Sequence, residues 1–250
     1  MNDGSTLVLY GGLSPNVRKV GIMLEELGLP YELRYVGVMV GAQFAPEFLA
    51  LNPWGKVPVL VDPALGRPLF ESGAILLYLA ERQQRFLPSD GPARYEVMQW
   101  LIAQTATVGP MLGQLTHFRI VQRSGTHPYA EGRYAAQAEH IYRLVNERLS
   151  THQWVAADRY SIADIAIYPW MLYLRAHGFA AEQYPALMRW CDTISARPAI
   201  ARCNERFAAA FAAPTEQSRR SATSEDLDRF FGRTAAVPAA DFSLIKQLTG

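Results

Sequence analysis

Residues able to do chemistry gather in three short segments near the start of this 250-residue chain. In Gly12-Leu13-Ser14-Pro15-Asn16, Ser14 supplies an N-cap hydroxyl and Pro15 a proline at the first helical position. Asn16 adds an amide donor in the same first turn. The amides and dipole of a helix N-terminus favour an anion. A thiolate held there gains from the dipole and from both donors, so its pKa falls. The chain has 2 cysteines, Cys191 and Cys203, and neither is at this corner. Thiol chemistry at Ser14 and Asn16 therefore needs sulfur carried in by a ligand. Taken alone, the cap is better read as an ordinary helix start.

Two further segments change the balance. Val57-Pro58 follows Asn52-Pro53-Trp54-Gly55-Lys56. A proline directly after a strand-forming residue often marks a cis bond, which would turn the Val57 amide and carbonyl outward. An exposed edge of that kind pairs with an extended peptide. Glu71-Ser72 then opens the next helix and makes a second anion site, suited to an α-carboxylate. A thiolate corner, a strand edge and a carboxylate corner on one small domain match an extended thiol tripeptide.

Other chemistries fit less well. The histidines (His117, His127, His140, His152 and His177) form no H-x-x-x-H pair and have no cysteine at ligand spacing, so no metal is expected. Gly55-Lys56 lacks the upstream glycine and following hydroxyl of a phosphate loop, and Gly11-Gly12 is not G-x-G-x-x-G. The Ser14 segment approaches the G-x-S-x-G nucleophile elbow, but Asn16 replaces the second glycine and no earlier strands exist to build that sheet. Lys plus Arg is 24 and Asp plus Glu is 23, a net charge of +1. That balance supports neither a nucleic-acid nor a membrane partner. The cysteine count excludes a disulfide scaffold and fits a reducing cytosol. No signal peptide is read before Thr6. The longest apolar run, Ile165 to Leu174, is about half a membrane span and contains Pro169. A soluble cytoplasmic protein is the expectation.

The elements that must position these residues begin with Thr6–Tyr10, a short apolar run ending at Gly11-Gly12 and read as a buried strand. Val17, Val20, Met23, Leu24 and Leu27 then recur at helical spacing, with Arg18, Lys19, Glu25 and Glu26 between them, and Gly28 stops the helix. Tyr31–Val36 reads as a second strand, completing a βαβ unit. A short helix over Phe44–Leu51, strands at Val57–Asp62 and Pro68–Phe70, and a helix over Ser72–Arg82 finish a small α/β domain of about 80 residues. The Pro/Gly/Asp stretch Phe86–Pro92 is the best linker candidate. Helices follow at Arg94 to about Arg123 (interrupted at Gly109-Pro110), Tyr129–Ser150, Ser161–Arg175, Tyr184–Ala196 and Pro198–Ala212. Ser161 with Asp164 makes a capping box, and Tyr160 with Ile165 takes the positions of a hydrophobic staple, so Asp164 is read as structural. From residue 213 a mixed tail, with late apolar residues Phe242, Leu244, Ile245 and Leu248, is read as partly ordered at most. The domains are thus set at 1–84, a linker at 85–92, a helical bundle at 93–212 and a tail at 213–250.

On these motifs the chain resembles a glutathione transferase. The resemblance is carried by Ser-Pro-Asn-Val-Arg-Lys-Val at 14–20, Gly-Lys-Val-Pro at 55–58, Phe-Glu-Ser-Gly-Ala-Ile-Leu-Leu-Tyr-Leu at 70–79 and Tyr-Ser-Ile-Ala-Asp at 160–164. Gly-Ala-Gln-Phe at 41–44 and Gly-Pro-Met-Leu-Gly-Gln-Leu-Thr-His-Phe at 109–118 narrow it to the bacterial Nu class, relatives of the fungal nitrogen-regulator prion protein. It spans about residues 6–212. It implies a thioredoxin-like N-terminal domain, an all-helical C-terminal domain, a homodimer, and glutathione as co-substrate without a metal. Carried over by motif, Val57 pairs with the cysteinyl backbone of glutathione and Pro58 is cis. Glu71 and Ser72 hold the γ-glutamyl end and Gln43 the glycyl end. Ser14 and Asn16 face the sulfur, and Arg133 matches the arginine added from the helical domain. The chain departs from the family in having Ser14 where threonine is frequent, and in its tail after Ala212.

Nu-class relatives are known more as glutathione-dependent disulfide reductases than as conjugating enzymes. The weak activators at the sulfur corner are compatible with this, because thiol–disulfide exchange needs a thiolate and little further acid–base machinery. The resemblance thus implies a glutathione:disulfide oxidoreductase with secondary peroxidase or transferase activity. One alternative is conjugation of small electrophiles, with Phe118, Tyr168 and Trp170 as candidate pocket residues, the last two favoured as core. The other is a non-catalytic binding or regulatory protein.

Overall fold

The computed structural model describes residues 6–121 and 127–232. Contacts divide the chain into two compact units. One holds the residues up to Arg85 and, among the described residues, those from Arg197 onward. The other holds Phe86–Ala196.

The first unit is built on a four-stranded sheet of order β2-β1-β3-β4, from β1 (Leu7–Gly11), β2 (Tyr31–Tyr35), β3 (Val59–Asp62) and β4 (Arg67–Phe70). Helix α1 (Pro15–Leu27) crosses between the parallel strands β1 and β2, which the βαβ reading requires. Its ends follow the sequence. Ser14 is extended and its hydroxyl oxygen accepts the Val17 amide at 3.2 Å, while Gly28 adopts φ 67°. Gly11 has to be glycine, since a Cβ there would lie 2.4 Å from a Val17 methyl. The strand can therefore run directly under the start of α1. The sequence suggests charged residues lying between apolar ones on α1, but Lys19 and Glu25 are buried with them. Sheet and helices cover this helix on more than one side, so helical periodicity underestimates its burial.

The expected helix over 44–51 is shorter, α2 (Pro46–Leu49), preceded by 3₁₀ turns at Val38–Val40 and Ala42–Phe44. Helix α3 (Ser72–Gln83) follows β4.

In the second unit, α4 (Gly91–Ala103) and α5 (Gly109–Thr116) are joined by a π-helical turn at Gln104–Val108, and a second π turn follows at His117–Val121. The expected break at Gly109-Pro110 is thus a wide turn rather than a stop. Pro110 sits in the first turn of α5, where a missing N–H is tolerated. Helices α6 (Pro128–Thr151), α7 (Ile162–Met171) and α8 (Pro185–Ser195) complete this unit. Every residue of α7 is buried.

Helix α9 (Pro198–Ser221) is the main difference from the sequence reading. It passes through Pro214 without ending, nine residues beyond the expected stop at Ala212. Its contacts group it with the α/β unit instead of the bundle. Cys203, Phe207 and Phe211 are buried, and a Cβ on Gly21 of α1 would meet the Phe207 ring at 2.5 Å. Arg202 and Arg206 of α9 both reach the buried Glu25 carboxylate, at 2.9 and 3.1 Å, and the Arg206 guanidinium lies 3.9 Å from the Tyr31 ring centre. Helix α10 (Ser224–Phe231) follows, begun by a Thr223–Asp226 capping box and ended by Gly232. Part of the expected tail is therefore helical. The late apolar set Phe242, Leu244, Ile245 and Leu248 lies outside the described residues.

Candidate active site

The register of the sheet explains why distant segments meet. Tyr10 of β1 pairs with Val59 of β3, and Val59 pairs with Phe70 of β4, both antiparallel. The chain leaves β1 toward Ser14, enters β3 from Val57-Pro58 and leaves β4 toward Glu71-Ser72, all at the same end of the sheet. Gly11 pairs with Tyr35 at the end of β2, so the chain carrying Gln43 also departs from that end. The geometry thus brings together Ser14, Asn16, Gln43, Val57, Pro58, Glu71 and Ser72 on one rim.

Each position has a local cause. Ser14 and Asn16 share the first turn of α1, both half-buried. The Val57–Pro58 peptide is cis, and Val57 lies two residues before the first paired residue of β3. The loop before it is fixed by Asn52, whose Nδ2 donates to the Lys56 carbonyl at 2.7 Å while its Oδ1 accepts the Trp54 amide at 3.0 Å. Gly55, at φ 59°, lets this loop close on the Gln43 segment, because a Cβ would lie 3.1 Å from the Phe44 ring. Gln43 is buried, and its Oε1 has no hydrogen-bond partner among the described residues. A buried amide oxygen left so is costly unless a ligand engages that side chain. Glu71 is exposed and adopts φ 69° at the N-cap of α3, a strained backbone of the kind kept at functional corners.

One residue of this rim was missed from the sequence. Lys19 is buried and its Nζ donates to Ser72 Oγ at 3.2 Å. Burial lowers its pKa to about 7, opposed by the negative charge of Glu71. The available signal was a lysine within an apolar helical stretch.

The sulfur question has a clear answer among the described residues. Cys191 and Cys203 are both buried, and burial pushes both thiols up to about 12. Neither is a thiolate near neutrality. No cluster of three or more His, Cys, Asp or Glu among the described residues could hold a metal.

Comparison with known proteins agrees with this geometry. Residues 13–82 match the model of the glutathione S-transferase N-terminal domain, and residues 114–198 that of the C-terminal domain. The chain is 42% identical to disulfide-bond oxidoreductase YfcG of Escherichia coli, over 76% of this chain and 91% of the relative. The chain belongs to the glutathione transferase superfamily. Among solved glutathione transferases, one from Burkholderia graminis, with two glutathione molecules bound per subunit, is 39% identical at a TM-score of 0.73, covering 79% of this chain and 87% of that one. Another from Pseudomonas putida, with one glutathione disulfide bound per subunit, is 35% identical at 0.74, covering 81% and 92%. The fold is the transferase fold, a four-stranded thioredoxin-like unit and a helical unit, and the chain is of Nu-class type. No helix among the described residues is long and apolar enough to cross a membrane.

The remaining candidates lie in the transferase's helical unit. Arg133 is exposed on α6. Phe118, on the second π turn, is half-buried and stacks on Tyr134 at 5.7 Å and 7°, with His117 and His127 edge-on. Tyr168 and Trp170 are buried, Tyr168 sharing a 2.8 Å hydrogen bond with Ser195, so they pack as core. Asp164 caps α7, as read from the capping box.

Proposed function

We propose that this transferase is a glutathione:disulfide oxidoreductase whose reactive sulfur belongs to glutathione. The observation that carries the reading is the single rim of the sheet holding a helix N-terminus, a cis-proline strand end and a second helix N-terminus, while both cysteines are buried and protonated. The names of YfcG and of the glutathione-bound relatives support it.

Ser14 and Asn16 donate to the glutathione sulfur and, with the α1 dipole, favour its thiolate. Val57 pairs with the cysteinyl backbone beside Pro58. Glu71 takes the γ-glutamyl ammonium, Ser72 the α-carboxylate and Gln43 the glycyl end. The thiolate attacks one sulfur of a substrate disulfide. That S–S bond breaks, a mixed disulfide forms, and the departing thiolate takes a proton from water. A second glutathione thiolate attacks the glutathione sulfur of the mixed disulfide, releasing glutathione disulfide and the second thiol. Two electrons pass from two glutathiones to the substrate. Residues 1–84 serve as the glutathione-binding domain, and the protein works as a homodimer in the cytoplasm.

A second reading, conjugation of aromatic electrophiles, draws on the half-buried Phe118–Tyr134 stack. The test compares glutathione-dependent reduction of 2-hydroxyethyl disulfide with conjugation of 1-chloro-2,4-dinitrobenzene. Reduction should dominate, and Asn16→Ala should lower its kcat/KM at least about tenfold through loss of a charge-assisted hydrogen bond. Robust conjugation without disulfide reduction would reverse the order. Glutathione binding without either reaction would favour a regulatory module.

A further inference from the structure

Ser72 stands at the first position of α3, with its oxygen accepting a hydrogen bond from the Lys19 ammonium at 3.2 Å. A lysine ammonium has donors only. While Lys19 is charged, the Ser72 proton cannot point at it, and the hydroxyl must donate elsewhere. A neutral Lys19 amine has a lone pair able to accept that proton, which would turn the hydroxyl inward. We propose that Lys19 is the positioning residue of the carboxylate corner: its charge directs the Ser72 hydroxyl toward the ligand's α-carboxylate and adds a buried counter-charge behind it. This inference rests on the glutathione reading.

Lys19 is placed to respond near neutrality. Its pKa is lowered to about 7 by burial, and Glu71 of the same corner opposes the shift. The acids on the other faces of α1 are already matched: Glu25 by Arg202 and Arg206 of α9, and Glu26 by Arg197 just before that helix. An arriving carboxylate favours the charged lysine, so binding takes up a proton and weakens as pH rises.

The test uses calorimetry with S-methylglutathione, which has no thiol to titrate, across a range spanning about pH 7. The full-length protein should bind at least about tenfold more weakly on the alkaline side. Heats in buffers of different ionisation enthalpy should show proton uptake. Lys19→Arg should bind tightly with no pH dependence, and Lys19→Met weakly with none. An analogue lacking the γ-glutamyl α-carboxylate should bind Lys19→Met and the unaltered protein alike. Should Lys19→Met fail to fold, the unaltered protein's pH profile and Lys19→Arg decide. PH-independent binding by the unaltered protein, or an equal loss for both ligands in Lys19→Met, overturns the proposal but leaves the glutathione reading standing. No binding of S-methylglutathione at any pH overturns that reading first.

Discussion

Lys19 and Asp164 are both buried charged groups, yet they serve different ends. The Asp164 carboxylate accepts the Val155 amide, the Ser161 amide and hydroxyl, and the Trp190 indole N–H, all between 3.0 and 3.1 Å. It ties the start of α7 to the preceding loop and to α8. Burial raises its pKa to about 6 despite those four donors. Lys19 donates to a hydroxyl at the rim where four chain segments converge. One buried charge secures the helical core, and the other faces the place where a ligand's charge would arrive. A perturbed pKa in this protein therefore does not mark function by itself; the position of the partner does.

Breaking the Asp164 centre should have the largest effect. Asp164→Ala orphans three buried N–H groups and should cost about 3–5 kcal/mol of unfolding free energy in urea titrations. A loss under about 1 kcal/mol would mean that the loop and indole find other acceptors.

His177 belongs with Asp164. Its ring nitrogens meet Thr116 Oγ1 at 2.8 Å and the Tyr142 hydroxyl at 2.7 Å, and burial, with Arg119 nearby, lowers its pKa to about 4. The folded state thus binds fewer protons than the unfolded state between about 4 and 6.5. The His177 contribution to stability should fall by about 3 kcal/mol as the pH drops through that window, opposed by Asp164, whose raised pKa makes the folded state bind the extra proton below about 6. His177→Gln should flatten this part of the acid-unfolding curve; an unchanged slope would assign it to other groups.

Lys19 should show the opposite relation between stability and use. Its folded pKa is lowered, so the unfolded chain binds the extra proton above about pH 7. Relative to Lys19→Met, the unaltered protein should gain about 2 kcal/mol of stability over roughly two pH units above that point. Ligand affinity should fall over the same interval. A stability difference that stays level would show that Lys19 keeps its charge when buried.

The smallest effect belongs to α10. Arg229 lies 4.5 Å from the Phe44 ring centre, next to Gln43. Arg229→Ala should remove about 0.5–1 kcal/mol and raise amide exchange at residues 42–44. No change in exchange would mean that this helix does not steady the Gln43 turn.

The sequence was most legible where one residue type meets one backbone need. Ser14 and Gly28 bounded α1, Ser161 with Asp164 opened α7, and the cis peptide at Val57–Pro58 was anticipated from its motif. It was least legible where burial depends on distant chain. Lys19 and Glu25 look solvated on a helical wheel until α3 and α9 cover them. The π turns have no local signature beyond Gly109-Pro110, and Pro214 suggests a stop that α9 does not make. The Thr223–Asp226 box is a helix start readable in the sequence, set within a stretch of mixed composition.

The return of α9 to the α/β unit has a consequence for biosynthesis. Domains emerging from a ribosome generally fold in order of synthesis. Here the strands and α1 are made before the bundle, but Phe207, which packs against Gly21 of α1, is translated after it. The α/β unit must wait, partly uncovered, until α9 has been made after the bundle, and a premature stop before Pro198 would leave it without that shield.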